Sequence, residues 1–338
     1  MADIDLDDLA ERATSAAQAW TPGCTVRDIV TLEGGTVSLV YTASVVDGPP
    51  EHERVVLKVA PPGLPPVRNR DVLRQARCMS ALMDRPGVRV PPVLFTDAGE
   101  PDDIPPFVAT GFVRGECVEP LLNAATHRRP DDIVRGRAFS AARMLAALHQ
   151  LAPADIGLGD EPQTTLIDEV DRWTRTLDTV PDQLRTGYLE CADLLRATVP
   201  EPAPASVVHG DYRLGNMLSD GTDVQAIIDW EIWSPSDPRI DLSWFLFFTE
   251  EAKHPVVDPD VSSGMPSDRE LLEVYEHSGG STTADLEWFH ALTRYKEAAA
   301  MALITKHRLR KEPSAERLDA MSVMLPGLIA DARRRVEA

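Results

Sequence analysis

His209-Gly210-Asp211-Tyr212-Arg213-Leu214-Gly215-Asn216 follows the short apolar run Ser206-Val207-Val208, and a second apolar run, Val224 to Ile228, then delivers Asp229. An Asp and an Asn five apart on a loop leaving a strand can set two oxygens about one centre. The carboxylate can orient a hydroxyl and accept its proton, while the amide oxygen can ligate Mg²⁺. Asp229 adds a second hard oxygen from a neighbouring strand. Mg²⁺ takes few protein oxygens and completes its shell with phosphate and water, so Asn216 and Asp229 suffice as its protein ligands. The plainer alternative is a loop in which Asp and Asn merely cap turns.

Working outward, the flanking segments differ in character. After the loop, helical spacing covers 241–252, 268–277, 283–310 and 314–335; before it, 133–151, 164–179 and 183–198 read the same way. The first third reads differently. Apolar residues at Leu6, Leu9, Ala13, Ala16, Ala17 and Trp20 predict a helix that Pro22-Gly23 stops. Strands are expected over 29–32, 37–46, 54–60, 93–96 and 107–113, with a helix over 70–83. Gly34-Gly35 and Gly48-Pro49-Pro50 predict hairpins between the first three strands. The fold class is therefore α+β: a β-rich N-terminal lobe over residues 1–113, opened by a helix within 1–22, and a helical lobe over 114–338.

Bulk properties narrow the function classes. The 338 residues carry 34 Lys and Arg against 54 Asp and Glu, a net charge of -20 that disfavours nucleic acid and anionic lipid as partners. The four cysteines form no C-x-x-C pair, so structural zinc and a disulfide framework are not indicated. The N-terminus has no signal-peptide pattern, and no run of about 18 apolar residues predicts a membrane span. A cytoplasmic protein is the expectation.

On the residues H-G-D-x-x-x-x-N, then Ile228-Asp229-Trp230-Glu231, then Ser236-Asp237-Pro238-Arg239-Ile240-Asp241-Leu242, the chain resembles the aminoglycoside phosphotransferase and choline kinase-like family, relatives of the protein kinases. The resemblance covers roughly residues 30–310. Arg74-Gln75-Ala76, Val90-Pro91-Pro92-Val93 and Pro105-Pro106-Phe107 bring it closest to the branch that resembles the kinase domain fused to acyl-CoA dehydrogenases. The resemblance implies a bilobal kinase-like fold and ATP- and Mg²⁺-dependent transfer of a phosphoryl group to a small-molecule hydroxyl. It implies Asp211 as catalytic base, Asn216 and Asp229 as metal ligands, and His209 and Asp241 as structural supports of the loop.

For the nucleotide, the Leu32 to Tyr41 segment fits a glycine-rich hairpin whose Gly34, Gly35, Thr36 and Ser38 would cover phosphates. Lys58, flanked by Leu57 and Val59, must send its ammonium to a partner or to solvent, and the resemblance assigns it to the phosphates. Where many relatives place a helix Glu to pair with this lysine, Gln75 offers a neutral amide, with Asp71 one turn away as a substitute partner. Thr110 aligns with the gatekeeper, and Gly111, Phe112 and Val113 with the hinge to adenine. Arg213, Trp230, Glu231 and Trp233 are candidates for the acceptor pocket, with Trp288, Phe289, Arg294, Tyr295 and Lys296 closing it from another side. Arg213, Arg239, Arg294 and Lys296 would suit a carboxylated acceptor; the sequence leaves that choice open. A catalytically weak nucleotide-binding regulator is the alternative from another class, resting on Gln75.

Overall fold

The computed structural model describes residues 4–32, 38–100, 104–123, 128–249, 251–254 and 262–337. The expected strands form where β-branched runs are bracketed by glycine and proline. Helix α1 (Leu6–Trp20), capped by the Asp5 carboxylate on two first-turn amides, precedes β1 (Thr25–Thr31) and β2 (Leu39–Val46). Then come β3 (Arg54–Val59), α2 (Val72–Leu82), β4 (Val93–Asp97) and β5 (Phe107–Gly111). Among the described residues these strands make one five-stranded antiparallel sheet in the order β1-β2-β3-β5-β4.

Alternation along β3 decides what each face does. Val55, Leu57 and Val59 are buried with Phe107, Ala109 and the Leu9, Ala13 and Ala17 face of α1. Lys58 falls on the opposite face, paired in register with Val108. That face carries a smaller cluster of Ala60, Val72, Ala76 and Val108. A two-residue period thus turns one lysine toward α2 while its neighbours close the core.

Helices then predominate: α3 (Pro120–Asn123), α4 (Asp131–His149), α5 (Leu166–Asp178) and α6 (Tyr188–Ala197). Strand β6 (Ser206–Val208) leads into the loop, and β7 (Met217–Asp220) and β8 (Asp223–Ile227) form a hairpin behind it. Strand β9 (Ser234–Ser236), which pairs with β6, precedes α7 (Arg239–Leu246), α8 (Asp268–His277), α9 (Leu286–Lys311) and α10 (Ala315–Glu337).

Two helices depart from the sequence expectation for local reasons. The 183–198 segment is broken by Gly187 at φ 79°, so α6 starts only at Tyr188. Pro238, with φ already at -60°, starts α7 two residues before Asp241, and the helix ends at Leu246 instead of 252.

The chain divides into two compact units. The first comprises Met1–Cys117, Ile156–Leu158 and Asn216–Trp233; the second comprises Val118–Asp155, Gly159–Gly215 and Ser234–Ala338. The division falls inside the His209–Asn216 loop, so the β7–β8 hairpin belongs to the same unit as the five-stranded sheet. The second unit has its own core, in which Trp173, Leu177, Leu195, Phe289, Leu292 and Ile329 bring together α5, α6, α9 and α10.

Candidate active site

In the first unit, hairpin pairing brings the two hard-oxygen residues side by side. Met217 pairs with Ile227, and Ile228 N–H donates to the Asn216 carbonyl at 2.9 Å, so Asn216 enters one strand as Asp229 leaves the other. Arg89 pins the hairpin: its carbonyl accepts from Ile227 N–H at 2.9 Å and its guanidinium donates to the Val224 carbonyl at 2.6 Å. Asp229 stands in the left-handed region at φ 67°, ψ 52°. That conformation is disfavoured for a side chain with a Cβ, and such strain gathers where a site needs an unusual direction.

Lys58 reaches this carboxylate. Its Nζ donates to Asp229 Oδ1 at 2.9 Å and lies 3.9 Å from Glu231 Oε2. The partner expected on α2 is not the one found. Gln75 is buried and its amide donates to the Asn69 carbonyl at 3.2 Å, while Asp71 caps α2 on Arg74 N–H at 2.9 Å. Lys58 therefore has two carboxylates near it without a helix glutamate, which removes the reason for reading Gln75 as a defect.

In the second unit, Asp241 organises the loop. Fully buried, its carboxylate accepts from His209 N–H at 2.6 Å and from Gly210 N–H at 2.8 Å. Gly210 is at φ 86°, where a side chain would be strained, and this turn is what aims both amides at one carboxylate. His209 Nδ1 accepts the Asp211 N–H at 3.1 Å, which fixes its tautomer with the proton on the other nitrogen. Burial alone would raise the Asp241 pKa, but the His149 imidazole at 3.8 Å, His209 and the loop amides outweigh it and hold the carboxyl below the ordinary aspartate range.

Asp211 itself is 27% exposed at its side chain. Its Oδ1 accepts from Trp244 Nε1 at 2.7 Å and from Arg213 Nε at 3.2 Å. Arg213 also lies 3.7 Å from Glu119, whose carboxylate accepts Gly215 N–H at 2.9 Å. Sequence reasoning missed Glu119 and Trp244, which stand far from the motif in the chain and carry no spacing signal.

A model of the phosphotransferase enzyme family matches residues 28–292. The chain belongs to that family. Acyl-CoA dehydrogenase family member 11 of Pongo abelii is 25% identical over 169 residues, 47% of this chain but only 22% of that protein's length. Among solved structures, a candidate aminoglycoside phosphotransferase from Ralstonia eutropha JMP134 has a TM-score of 0.73 at 21% identity, covering 99% of both chains. The GDP complex of aminoglycoside 2′-phosphotransferase-IIIa has a TM-score of 0.60 at 15% identity, covering 95% of this chain and 98% of that one. These likenesses are of fold, and the five-stranded sheet followed by helices is the kinase-like α+β arrangement they share.

The residues present fit a magnesium nucleotide. Asn216 and Asp229 are hard oxygen donors on adjoining strand ends, too few to bind Mg²⁺ unaided and suited to sharing it with phosphate oxygens. Ser38 Oγ is buried with no hydrogen-bond partner among the described residues, an orphan that a phosphate oxygen would satisfy. Gly34, Gly35 and Thr36 lie outside the described residues. At the hinge, Gly111 N–H donates to the Pro92 carbonyl at 2.9 Å and Phe112 N–H to the Arg54 carbonyl at 3.1 Å, under a guanidinium 4.0 Å from the Phe112 ring. Those two amides are used within the fold.

The expected acceptor residues fare unevenly. Trp230 and Trp233, each 1% exposed, are instead enclosed in the first unit. The Trp230 indole donates to the Ile227 carbonyl at 3.0 Å, and Arg74 lies 4.1 Å over the Trp233 ring. Arg239, Arg294 and Lys296 are not available to a carboxylated acceptor: they are buried on Asp237, Asp331 and the Gly210 carbonyl. Trp288, Phe289 and Tyr295 are core residues of the helical unit. Arg213 and Glu231 keep partial exposure, at 25% and 16% of their side chains.

Glu119 gives a pH prediction. Burial, opposed by Arg213 and the Gly215 amide and abetted by Asp211, pushes its pKa up to about 7. A raised carboxyl adds stability below its unfolded pKa, near 4.5, and that stability is lost as pH climbs through about 7. Glu119→Gln should therefore remove a stability difference of up to about 3 kcal/mol between pH 5 and pH 8. Urea unfolding at the two pH values checks this: the parent should lose stability on going to pH 8, and the variant should lose much less.

Proposed function

We propose that this family member transfers the γ-phosphoryl group of ATP, as its magnesium complex, to a hydroxyl of a small molecule. The observation that carries the reading is the Asn216, Asp229 and Lys58 constellation: two hard oxygens on adjoining strand ends with a lysine on one of them. Asp211 stands five residues before Asn216 on the same loop, held by hydrogen bonds to Oδ1.

In this mechanism Asn216 and Asp229 would hold Mg²⁺, which when bound supplies charge neutralisation at the phosphate oxygens. Lys58 exchanges its carboxylate partner for α- and β-phosphate oxygens. Asp211 orients the acceptor hydroxyl and takes its proton as the oxygen bonds to phosphorus and the bond to the ADP oxygen breaks. Positioning and charge stabilisation do most of the work in such transfers, because the protein forms no covalent bond to the phosphoryl group. Ser38 and the Val113 amide hold phosphate and adenine.

Ligand-dependent thermal stability tests the nucleotide half. At 100 times its Kd, a nucleotide binding only the folded chain stabilises it by about 2.7 kcal/mol. Mg·ATP should raise the melting temperature, and EDTA should remove most of the rise. Lys58→Met should weaken Mg·ATP binding about tenfold or more, since charge-assisted hydrogen bonds to phosphate are roughly twice as strong as neutral ones. Unchanged affinity in Lys58→Met would remove that residue from the phosphate site.

A further inference from the structure

Lys296 is a cation buried in the helical unit, on α9, with 3% exposure. Its ammonium donates to the Gly210 carbonyl of the loop and lies 4.0 Å from the centre of the Trp244 ring. A buried ammonium is stable only where fixed partners replace its water, and here they are a loop carbonyl and an indole face. Trp244, on α7 and 4% exposed, is packed against Phe247 and Phe248 at 6.2 and 5.6 Å between ring centres. Its indole therefore has one orientation, and its N–H ends on Asp211 Oδ1 at 2.7 Å.

The chemistry of an indole N–H suits this place. It is a donor only and keeps its proton across the working pH range. With Arg213 Nε on the same oxygen, both acceptor positions of Oδ1 are taken. Resting on the proposed phosphoryl transfer, we propose that Trp244, braced by Lys296, is a positioning residue for Asp211. It fixes Oδ1, and with it the plane in which the Asp211 carboxylate meets an acceptor hydroxyl.

Two measurements test this. The first needs no acceptor: in ¹⁵N-labelled protein at pH 7, the six indole signals are recorded and the Trp244 signal is assigned by its loss in Trp244→Phe. In Asp211→Asn this signal should move upfield further than that of any other tryptophan, because the bond to a charged oxygen is gone. An unmoved Trp244 signal overturns the proposal.

The second is ATP hydrolysis with water as acceptor. Trp244→Phe keeps the ring over Lys296 but removes the donor. It should lower kcat about tenfold with KM for Mg·ATP unchanged. A variant that loses thermal stability but keeps the parental kcat assigns Trp244 to packing alone and overturns the positioning role. If the parent releases no ADP with water or with any hydroxyl acceptor, the phosphoryl-transfer reading fails, while the indole signal still decides whether Trp244 holds Asp211.

Discussion

Asp211→Asn should lower phosphoryl transfer by about 10²–10⁴-fold, the range for losing a positioned general base, and leave the Mg·ATP-induced rise in melting temperature in place. The substitution is close to isosteric, and the amide oxygen can still accept from Trp244 Nε1 and Arg213 Nε, which both address Oδ1 in the parent. What disappears is the carboxylate's ability to take the acceptor proton, since a neutral amide is not a base at working pH. The loop should keep its shape, because its bracing runs through the backbone amides of His209 and Gly210. The contrast is Asp229→Ala, which should weaken the magnesium-dependent part of nucleotide binding. A parental rate in Asp211→Asn, or loss of nucleotide binding equal to that of Asp229→Ala, contradicts the division of roles.

Asp241→Asn should cost stability as well as turnover. Both carboxylate oxygens accept backbone amides, at 2.6 and 2.8 Å, in a fully buried setting. An asparagine can present an oxygen to one of them only and must set its own N–H₂ against the other. Leaving one buried donor unsatisfied and losing charge assistance at the second costs about 3 kcal/mol. The sign with pH follows from the depressed pKa of Asp241. Its stabilisation is full above the unfolded aspartate value and is lost as pH falls through the lower folded value. The difference between parent and variant should thus be largest at neutral pH and shrink toward strongly acidic pH, as measured by denaturant unfolding. A variant of parental stability would show that the loop holds its turn without this carboxylate.

Residues that declare themselves by local pattern were legible in the sequence. The sheet followed from β-branched runs and turn residues, α8 from its helical periodicity, and the loop from the fixed spacing of Asp211 and Asn216. Lys58 was legible because a lysine between Leu57 and Val59 in a core strand needs a partner. Its partner was not, because Asp229 and Glu231 come to it across more than 170 residues of chain. A helix carboxylate was the nearer expectation, and Gln75 turned out to serve the Asn69 carbonyl.

The same distance in sequence hid Glu119 and Trp244. Each meets the loop only after α4, α7 and the helices around them have packed, and neither has a periodic or motif signature. Trp230, Trp233 and Arg239 erred the other way: their proximity to Asp229 and Asp241 in the chain suggested a pocket, whereas packing gave them buried partners. Large aromatic and guanidinium groups carry enough apolar surface that burial competes with function wherever a core lies near a site.

The central claim is tested most directly by following phosphoryl transfer from γ-³²P-labelled ATP to a panel of hydroxyl-bearing small molecules, with magnesium and with Asp211→Asn as the blank. The account predicts at least one acceptor that becomes labelled in step with ADP release, requires Mg²⁺, and loses about 99% or more of its labelling rate in Asp211→Asn. Labelling that proceeds equally in parent and Asp211→Asn, or ADP release that no hydroxyl acceptor in the panel increases, would contradict it.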